Sequence, residues 1–297
     1  MPMTDDIVKH IELPPEVVLR EVAPANHDGG NQVFTCIAQR PGRVGACFLK
    51  VARAPVIPGR THPLENEADV LAALSATAVP VPQLVAAASS PLPWVLITAL
   101  PGVMLWDHID PRRGGRTGET ALPLLARYGA ALARIHALPI RRPPQLRHAL
   151  ESLEDFAADP DDTSAAVSQR IVSWLRANTP VHREMTFVHG DFNVANVLLA
   201  DGQVSAVLDW EFAGNGWREF DIAWALRART HFLNTSDERG AVLDGYCSLG
   251  TFDRATLRWC EVLNYLRFAR WDRAAGGGYG PFALERAVGL MDRVHGG

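Results

Sequence analysis

Residues 187–211 read Phe187-Val-His189-Gly190-Asp191-Phe-Asn-Val-Ala-Asn196-Val-Leu-Leu-Ala200-Asp201-Gly202-Gln203-Val-Ser-Ala-Val-Leu208-Asp209-Trp210-Glu211. Val197 to Ala200 and Val204 to Leu208 are short apolar runs, and Asp201-Gly202 lies between them. That pair favours a two-residue hairpin of type I′, whose central residues both need positive φ. With Ala200 facing Gln203, pairing runs outward to Asn196 opposite Val207. Side chains alternate with period two, so Val207 and Asp209 share a face. Asn196 and Asp209 then become diagonal neighbours on it, roughly 7–8 Å apart at Cα. Their oxygens could meet one octahedral Mg²⁺, which takes few protein ligands and completes its shell with water and phosphate. A three-residue loop would reverse this parity.

Asp191 supplies a further carboxylate just before the hairpin. One carboxylate to orient a hydroxyl, with an Asn and an Asp to hold Mg²⁺ against nucleotide phosphates, is what phosphoryl transfer asks of a protein. His189-Gly190-Asp191, Asn196 and Asp209-Trp210-Glu211 together resemble the catalytic segment of the aminoglycoside phosphotransferase family, the small-molecule branch of the protein-kinase-like fold. The resemblance implies an α+β chain in two lobes. The N-lobe, residues 1–100, would be an antiparallel sheet with one main helix, and the C-lobe, residues 101–297, would be mostly helical. By the same resemblance Asp191 is the catalytic carboxylate and Asn196 and Asp209 are the Mg²⁺ ligands. The resemblance likewise implies ATP or GTP as co-substrate and a small molecule's hydroxyl as acceptor. Asp221, in Phe220-Asp221-Ile-Ala-Trp224, resembles the family's aspartate that opens a C-lobe helix and braces the catalytic loop. Gly214-Asn215-Gly216-Trp217 departs from the Gly-Asp-Pro often found before it. An imidazole at His189 has the pKa of a general base, but in this fold the loop histidine holds the aspartate in place. His136, in Ala-Arg-Ile-His-Ala-Leu, looks like the family's Leu-x-x-Leu-His segment, where the histidine has no chemical role.

Only two lysines occur, Lys9 and Lys50; the other 27 cations are arginines. Lys50 lies in the strand-like run Ala46-Cys-Phe-Leu-Lys-Val51. It could be an edge-strand lysine facing water. Residues 63–78, however, read as a helix with Pro63 in its first turn and an apolar stripe of Leu64, Leu71 and Leu74. Glu67 falls on that stripe and Glu65 does not. A buried carboxylate is costly unless paired, and Lys50 is the upstream partner. The family pattern is likewise a strand lysine and a helix glutamate that position the nucleotide phosphates. Upstream, His27-Asp28-Gly29-Gly30-Asn31-Gln32 is either a turn or a nucleotide loop in which Gly29, Gly30 and Asn31 bring backbone N–H groups close to phosphate. Trp94 to Gly102 reads as a strand ended by Pro101-Gly102. In the family this segment is the hinge, which places Thr98 and Leu100 at the adenine edge. A helix over 121–138 carries Leu125, Tyr128, Leu132 and Ile135 at core spacing.

Composition narrows the alternatives. A 297-residue chain that is 47% apolar can bury one large core or two lobes. A net charge of −4 gives no reason to expect nucleic acid or an anionic membrane as partner. No apolar run reaches the ~20 residues needed to span a bilayer; the most hydrophobic stretch, 79–106, is broken by five prolines. Cys36, Cys47, Cys247 and Cys260 form no metal-ligand spacing and read as reduced, mostly buried thiols of a cytoplasmic protein. A monomer and a homodimer are both compatible with the sequence. No Gly-x-Ser-x-Gly elbow supports a serine hydrolase. A metal hydrolase would need more histidines near Asp191 than His182. The missing Ala-Pro-Glu-like segment after Asp209 argues against a protein kinase. A pseudokinase would lack one of Lys50, Asp191, Asn196 and Asp209. Six acidic residues between Glu151 and Asp162, with Glu211, Glu219, Glu261 and Asp272, could line a site for a cationic acceptor such as an aminoglycoside, or simply face water. Trp217, Trp224, Tyr265 and Trp271 could stack on a sugar or fill the core. Acceptors in the family also include macrolides, choline, homoserine and sugars, and the sequence leaves these open.

Overall fold

The computed structural model describes residues 11–25, 30–53, 62–90, 92–142, 165–181, 184–227, 233–274 and 276–292. The chain divides into two compact units, Met1–Met104 with Ala195–Ala213, and Leu105–Val194 with Gly214–Gly297.

The first unit is built on a five-stranded antiparallel sheet. Its strands are β1 (Val18–Pro24), β2 (Gln32–Arg40), β3 (Arg43–Val51), β4 (Leu84–Ala88) and β5 (Trp94–Thr98), in the order β1-β2-β3-β5-β4. Pro41-Gly42 closes the β2–β3 hairpin with Arg40 opposite Arg43, and Gly42 supplies the positive φ of 69°. Alternation then sorts the two faces. Cys47, Leu49 and Val51 of β3 join Phe34, Cys36, Trp94 and Leu96 in one apolar cluster. Lys50 and its cross-strand partner Val95 fall on the opposite face, where helix α1 (Pro63–Leu74) lies against β4 and β5. Helix α1 starts at Pro63 because His62 caps it: the His62 ring accepts from Leu64 N–H, and Glu65 accepts from His62 N–H at 3.0 Å. It ends at Leu74, four residues short of the sequence expectation. Leu64, Val70, Leu71 and Leu74 are buried along its stripe, and Glu67 with them.

A second, three-stranded sheet holds β6 (Val103–Met104), β8 (Val197–Ala200) and β9 (Gln203–Val207), in the order β6-β8-β9. The first unit thus takes up a second stretch of chain, beyond the single boundary at residue 100 read from the sequence. It does so because β8 pairs with β6 and Val207 N–H donates to Pro80 O at 2.8 Å.

The second unit is mostly helical. It comprises α2 (Leu105–Ile109), α3 (Leu122–His136), α4 (Ala165–Ala177), α5 (Arg218–Ala225), α6 (Ser236–Cys247), α7 (Arg254–Ala274) and α8 (Gly280–Asp292), with a two-stranded ribbon of β7 (Met185–Val188) and β10 (Gly214–Trp217). Leu125, Tyr128, Leu132 and Ile135 of α3 are buried, as their spacing predicts. Helices α3 and α6 cross with their backbones in contact. A Cβ at Gly129 would stand 1.9 Å from Val242 O, and one at Gly245 would stand 1.9 Å from Ala126 O. The ribbon sets where two further segments start. Val188 pairs with Gly214 and Met185 with Trp217, so the loop after β7 and the helix after β10 leave the ribbon at opposite ends.

All four cysteines are free thiols; Cys36, Cys47 and Cys260 are buried and Cys247 is exposed. Among the described residues no helix is long and apolar enough to cross a membrane.

Candidate active site

In the first unit, β3 delivers Lys50 and α1 delivers Glu67 to the same point. Lys50 Nζ donates to both Glu67 oxygens at 2.9 Å. The same ammonium donates to Asp209 Oδ1 at 2.8 Å and Glu211 Oε1 at 3.4 Å. Lys50 is therefore a buried member of an ion cluster, not an edge residue facing water. Burial alone would depress its pKa, but Glu67, then Asp209 and Glu211, outweigh burial and hold it above the ordinary lysine range. Burial pushes the Glu211 carboxyl up to about 7, with Asp209 and Glu67 adding to the push and Lys50 opposing it. Carboxylate oxygens of Glu67, Asp209 and Glu211 lie within 4.8 Å of one another. Three carboxyl groups around one ammonium leave negative charge in excess, which suits a hard divalent cation with oxygen ligands.

The hairpin that presents Asp209 differs from its expected register. Asp201 and Gly202 both take positive φ, 50° and 71°, and Ala200 pairs with Gln203 as a type I′ turn requires. Beyond Leu199–Val204 the register shifts, so Leu198 faces Ala206 and Val197, rather than Asn196, faces Val207. The extra residue is Ser205, which is turned away to donate to Pro101 O at 2.8 Å; one added residue on one strand is a bulge. Asn196 now sits opposite Leu208, whose N–H donates to Asn196 O at 2.8 Å. Parity alone no longer fixes the aim of Asp209. Its backbone does so instead: Asp209 adopts φ 64°, the left-handed region that aspartate tolerates better than most residues. Trp210 N–H donates to Glu67 Oε1 at 3.3 Å, and the Trp210 indole donates to Val207 O at 3.0 Å.

Gly29 lies outside the described residues. Gly30 is exposed, with open space where a Cβ would be. Asn31 is buried, and its side-chain amide donates to Glu211 Oε1 at 2.7 Å. In the hinge segment, Thr98 N–H is taken by Gln83 O at 3.0 Å and its hydroxyl accepts from Gln83 N–H. The Thr98 amide is thus committed to the sheet, whereas Leu100 N–H has no hydrogen-bond partner among the described residues.

In the second unit the loop after β7 carries Asp191. Asp221 is fully buried on α5 and accepts from His189 N–H at 2.8 Å and Gly190 N–H at 3.0 Å. Gly190 takes φ 78°, which lets both amides converge on one carboxylate. His136 Nε2 contacts Asp221 Oδ2 at 3.1 Å, and its Nδ1 contacts the Tyr246 hydroxyl at 2.8 Å. His136 is therefore a brace between α3, α5 and α6. His189 is fully buried, its Nδ1 accepts from Asp191 N–H at 3.2 Å, and its ring meets Phe192 edge-on. Asp191 Oδ1 accepts from Trp224 Nε1 at 2.8 Å, and Asn193 donates to Asp191 O at 3.0 Å. The Tyr128 hydroxyl holds the next turn of the loop by donating to Phe192 O.

Three residues of these networks take roles that the sequence reading does not assign to them: it offers Glu211 as an acidic wall and Trp224 as a stacking or core residue, and gives Asn66 none. Trp224 orients Asp191; its only signal is a place one turn after Asp221. Glu211 joins the Lys50 cluster. Asn66 donates to Glu211 O and Ala213 O at 3.1 and 2.9 Å and so ties α1 to the segment after β9. Glu219, Glu261 and Asp272, read from the sequence as possible acidic walls for a cationic acceptor, have structural partners: Asp253 N–H, Arg239 and Gly280 N–H respectively. The acidic run between Glu151 and Asp162, and His182, lie outside the described residues. Tyr265 and Trp224 are buried, Trp217 tilts against Trp259, and Trp271 is partly exposed.

A family model described as the phosphotransferase enzyme family matches residues 21–260. Among curated proteins, the chain is 27% identical over 171 residues to an aminoglycoside 3'-phosphotransferase of Niallia circulans, covering 52% of this chain and 65% of that one. It is also 25% identical over 190 residues to acyl-CoA dehydrogenase family member 10 of Mus musculus, covering 56% of this chain and 17% of that protein. The chain thus spans less than two thirds of either relative. Among solved structures, a thermostable mutant of aminoglycoside phosphotransferase APH(4)-Ia, in a ternary complex with ADP and hygromycin B, superposes with a TM-score of 0.70 at 16% identity over 100% of both chains. That likeness is one of fold, the α+β protein-kinase-like fold.

Proposed function

The chain belongs to the phosphotransferase enzyme family, and from that membership and the geometry of the site we propose that it is a small-molecule kinase, moving the γ-phosphoryl group of ATP or GTP to an acceptor hydroxyl. The observation that carries this reading is the Lys50 ammonium, 2.9 Å from both Glu67 oxygens and 2.8 Å from Asp209. A lysine so held cannot wander, and it presents a fixed charge to nucleotide phosphates. Asn196 and Asp209 are the residues that would hold Mg²⁺, and the excess of carboxylate around Lys50 fits such an ion. Mg²⁺ when bound neutralises phosphate charge as it moves between oxygens. The open Leu100 amide is suited to the adenine edge. Asp191, held by the Trp224 indole and by the His189 ring, takes or orients the acceptor's hydroxyl proton. The cytoplasm, with its ATP and reducing conditions, is where we place the enzyme.

Aminoglycosides are the first acceptors to try, because two of the similar proteins are aminoglycoside phosphotransferases. The test is a panel of aminoglycosides, macrolides, amino alcohols and sugars, incubated with Mg²⁺ and either ATP or GTP and assayed for phosphorylated product. Product should form with at least one acceptor, and Asp191→Asn should lower its kcat by about 10²–10⁴-fold with nucleotide affinity retained. Equal turnover by the variant would remove Asp191 from the mechanism.

A further inference from the structure

A cavity of about 420 Å³ lies among the first two turns of α6, the first half of α7, and α8. Three guanidinium groups reach it, from Arg239, Arg254 and Arg286, against one carboxylate, Glu261. Arg239 is already satisfied, since it pairs with Glu261 and donates to Leu226 O at 2.9 Å. Arg286 is half-buried and steered by Asn234, donating to its carbonyl at 3.3 Å and to its Oδ1 at 3.0 Å. Arg254 stands 6.0 Å from the Phe252 ring centroid. Neither Arg254 nor Arg286 meets a carboxylate among the described residues. The cavity therefore carries two uncompensated positive charges over a wall of Leu243, Tyr265 and Leu290. Arg254 is exposed and Arg286 half-buried; two cations lining one pocket repel each other unless an anion joins them, and the planar guanidinium fork matches carboxylate and phosphate oxygens in pairs.

We propose that this cavity binds a small molecule through a doubly charged oxyanion, a phosphate monoester or a dicarboxylate, with Arg254 and Arg286 on the anion and the ligand's body on the apolar wall. No residue of the candidate active site takes part, so the proposal stands independently of the kinase reading.

Isothermal titration of the full chain with glycerol 3-phosphate, succinate and inorganic phosphate, each in the presence of saturating AMP-PNP, tests it. One saturable site should be seen with at least one probe, and the probe preferred tells phosphoryl from carboxylate chemistry. The double variant Arg254→Gln/Arg286→Gln should bind about tenfold more weakly or worse, as expected when charge-assisted hydrogen bonds are lost. Arg286→Lys keeps the charge and loses the fork, so it should fall between the two and guards against a folding defect in the glutamine variants. Absence of saturable heat with all three probes, or undiminished affinity in the double variant with a native melting profile, would overturn the assignment.

Discussion

Replacing Lys50 by methionine would strand Glu67, a carboxylate with no exposed surface. Breaking a buried ion pair from one side typically costs about 3–5 kcal/mol, whereas replacing both partners with apolar groups is often neutral. Lys50→Met should therefore lower the urea midpoint sharply. Lys50→Met/Glu67→Leu should regain the part of that loss due to Glu67 while remaining inactive, the rest reflecting Asp209 and Glu211, which also pair with Lys50. A single variant as stable as the parent would mean that Glu67 is held chiefly by Trp210 N–H. In the second unit, Trp224→Phe keeps a ring at a buried site but removes the donor to Asp191 Oδ1. A hydrogen bond to a charged acceptor is worth about 1.5–3 kcal/mol, so kcat should drop roughly tenfold or more with the nucleotide KM unchanged; a kcat equal to the parent's would show that Asp191 does not need the indole. The two cases differ in how far sequence can see them. Glu67 is legible because a carboxylate on an apolar helical stripe demands a partner, and only two lysines exist to supply one. Trp224 lies 33 residues from Asp191, and tryptophan is so often a core residue that nothing local marks it as a donor.

Helices α3 and α6 meet through glycines, and this close crossing lets Tyr246 reach His136 and His136 reach Asp221. Gly245→Ala would drive a methyl group to 1.9 Å from the Ala126 carbonyl. Backbone has no rotamer with which to yield, so the helices must separate. Overpacking of this kind costs about 1–3 kcal/mol or more, and the upper end is expected here, read as a fall in the denaturant midpoint. Gly240 lies on the same helix with nothing within 4 Å of its would-be Cβ. Gly240→Ala should be neutral or stabilising by about 0.5–1 kcal/mol from helix propensity alone. If both substitutions behave alike, close contact is not what governs Gly245. Sequence shows the apolar stripe of α3 but not this crossing, because a glycine within a helix looks like a weak helix former until its neighbour is known. The hairpin shows the same boundary. Asp201-Gly202 announces its turn through a local need for positive φ. The bulge at Ser205 depends on Pro101, about a hundred residues away, and so the register of Asn196 is invisible to local pattern.

The order in which the whole chain visits its two units depends on such long-range contacts. Fold class is legible because strand-like and helix-like patterns fall in separate halves of the chain. The return of 195–213 to the first unit is not, because β8 finds its partner in β6, a strand of only two residues. That return puts Asp209 and Glu211 beside Lys50, which lies on a different stretch of chain. A ligand gripping both stretches favours the native state over the unfolded one by mass action, by about 2.7 kcal/mol at one hundred times its dissociation constant. AMP-PNP with Mg²⁺ should therefore raise the thermal midpoint of the full chain well above the rise given by AMP-PNP with EDTA. Asp209→Asn should abolish the difference between the two conditions while keeping the smaller, metal-independent rise. If Mg²⁺ adds the same increment to Asp209→Asn as to the parent, the ion is held elsewhere, and the excess carboxylate around Lys50 serves only to fix the lysine.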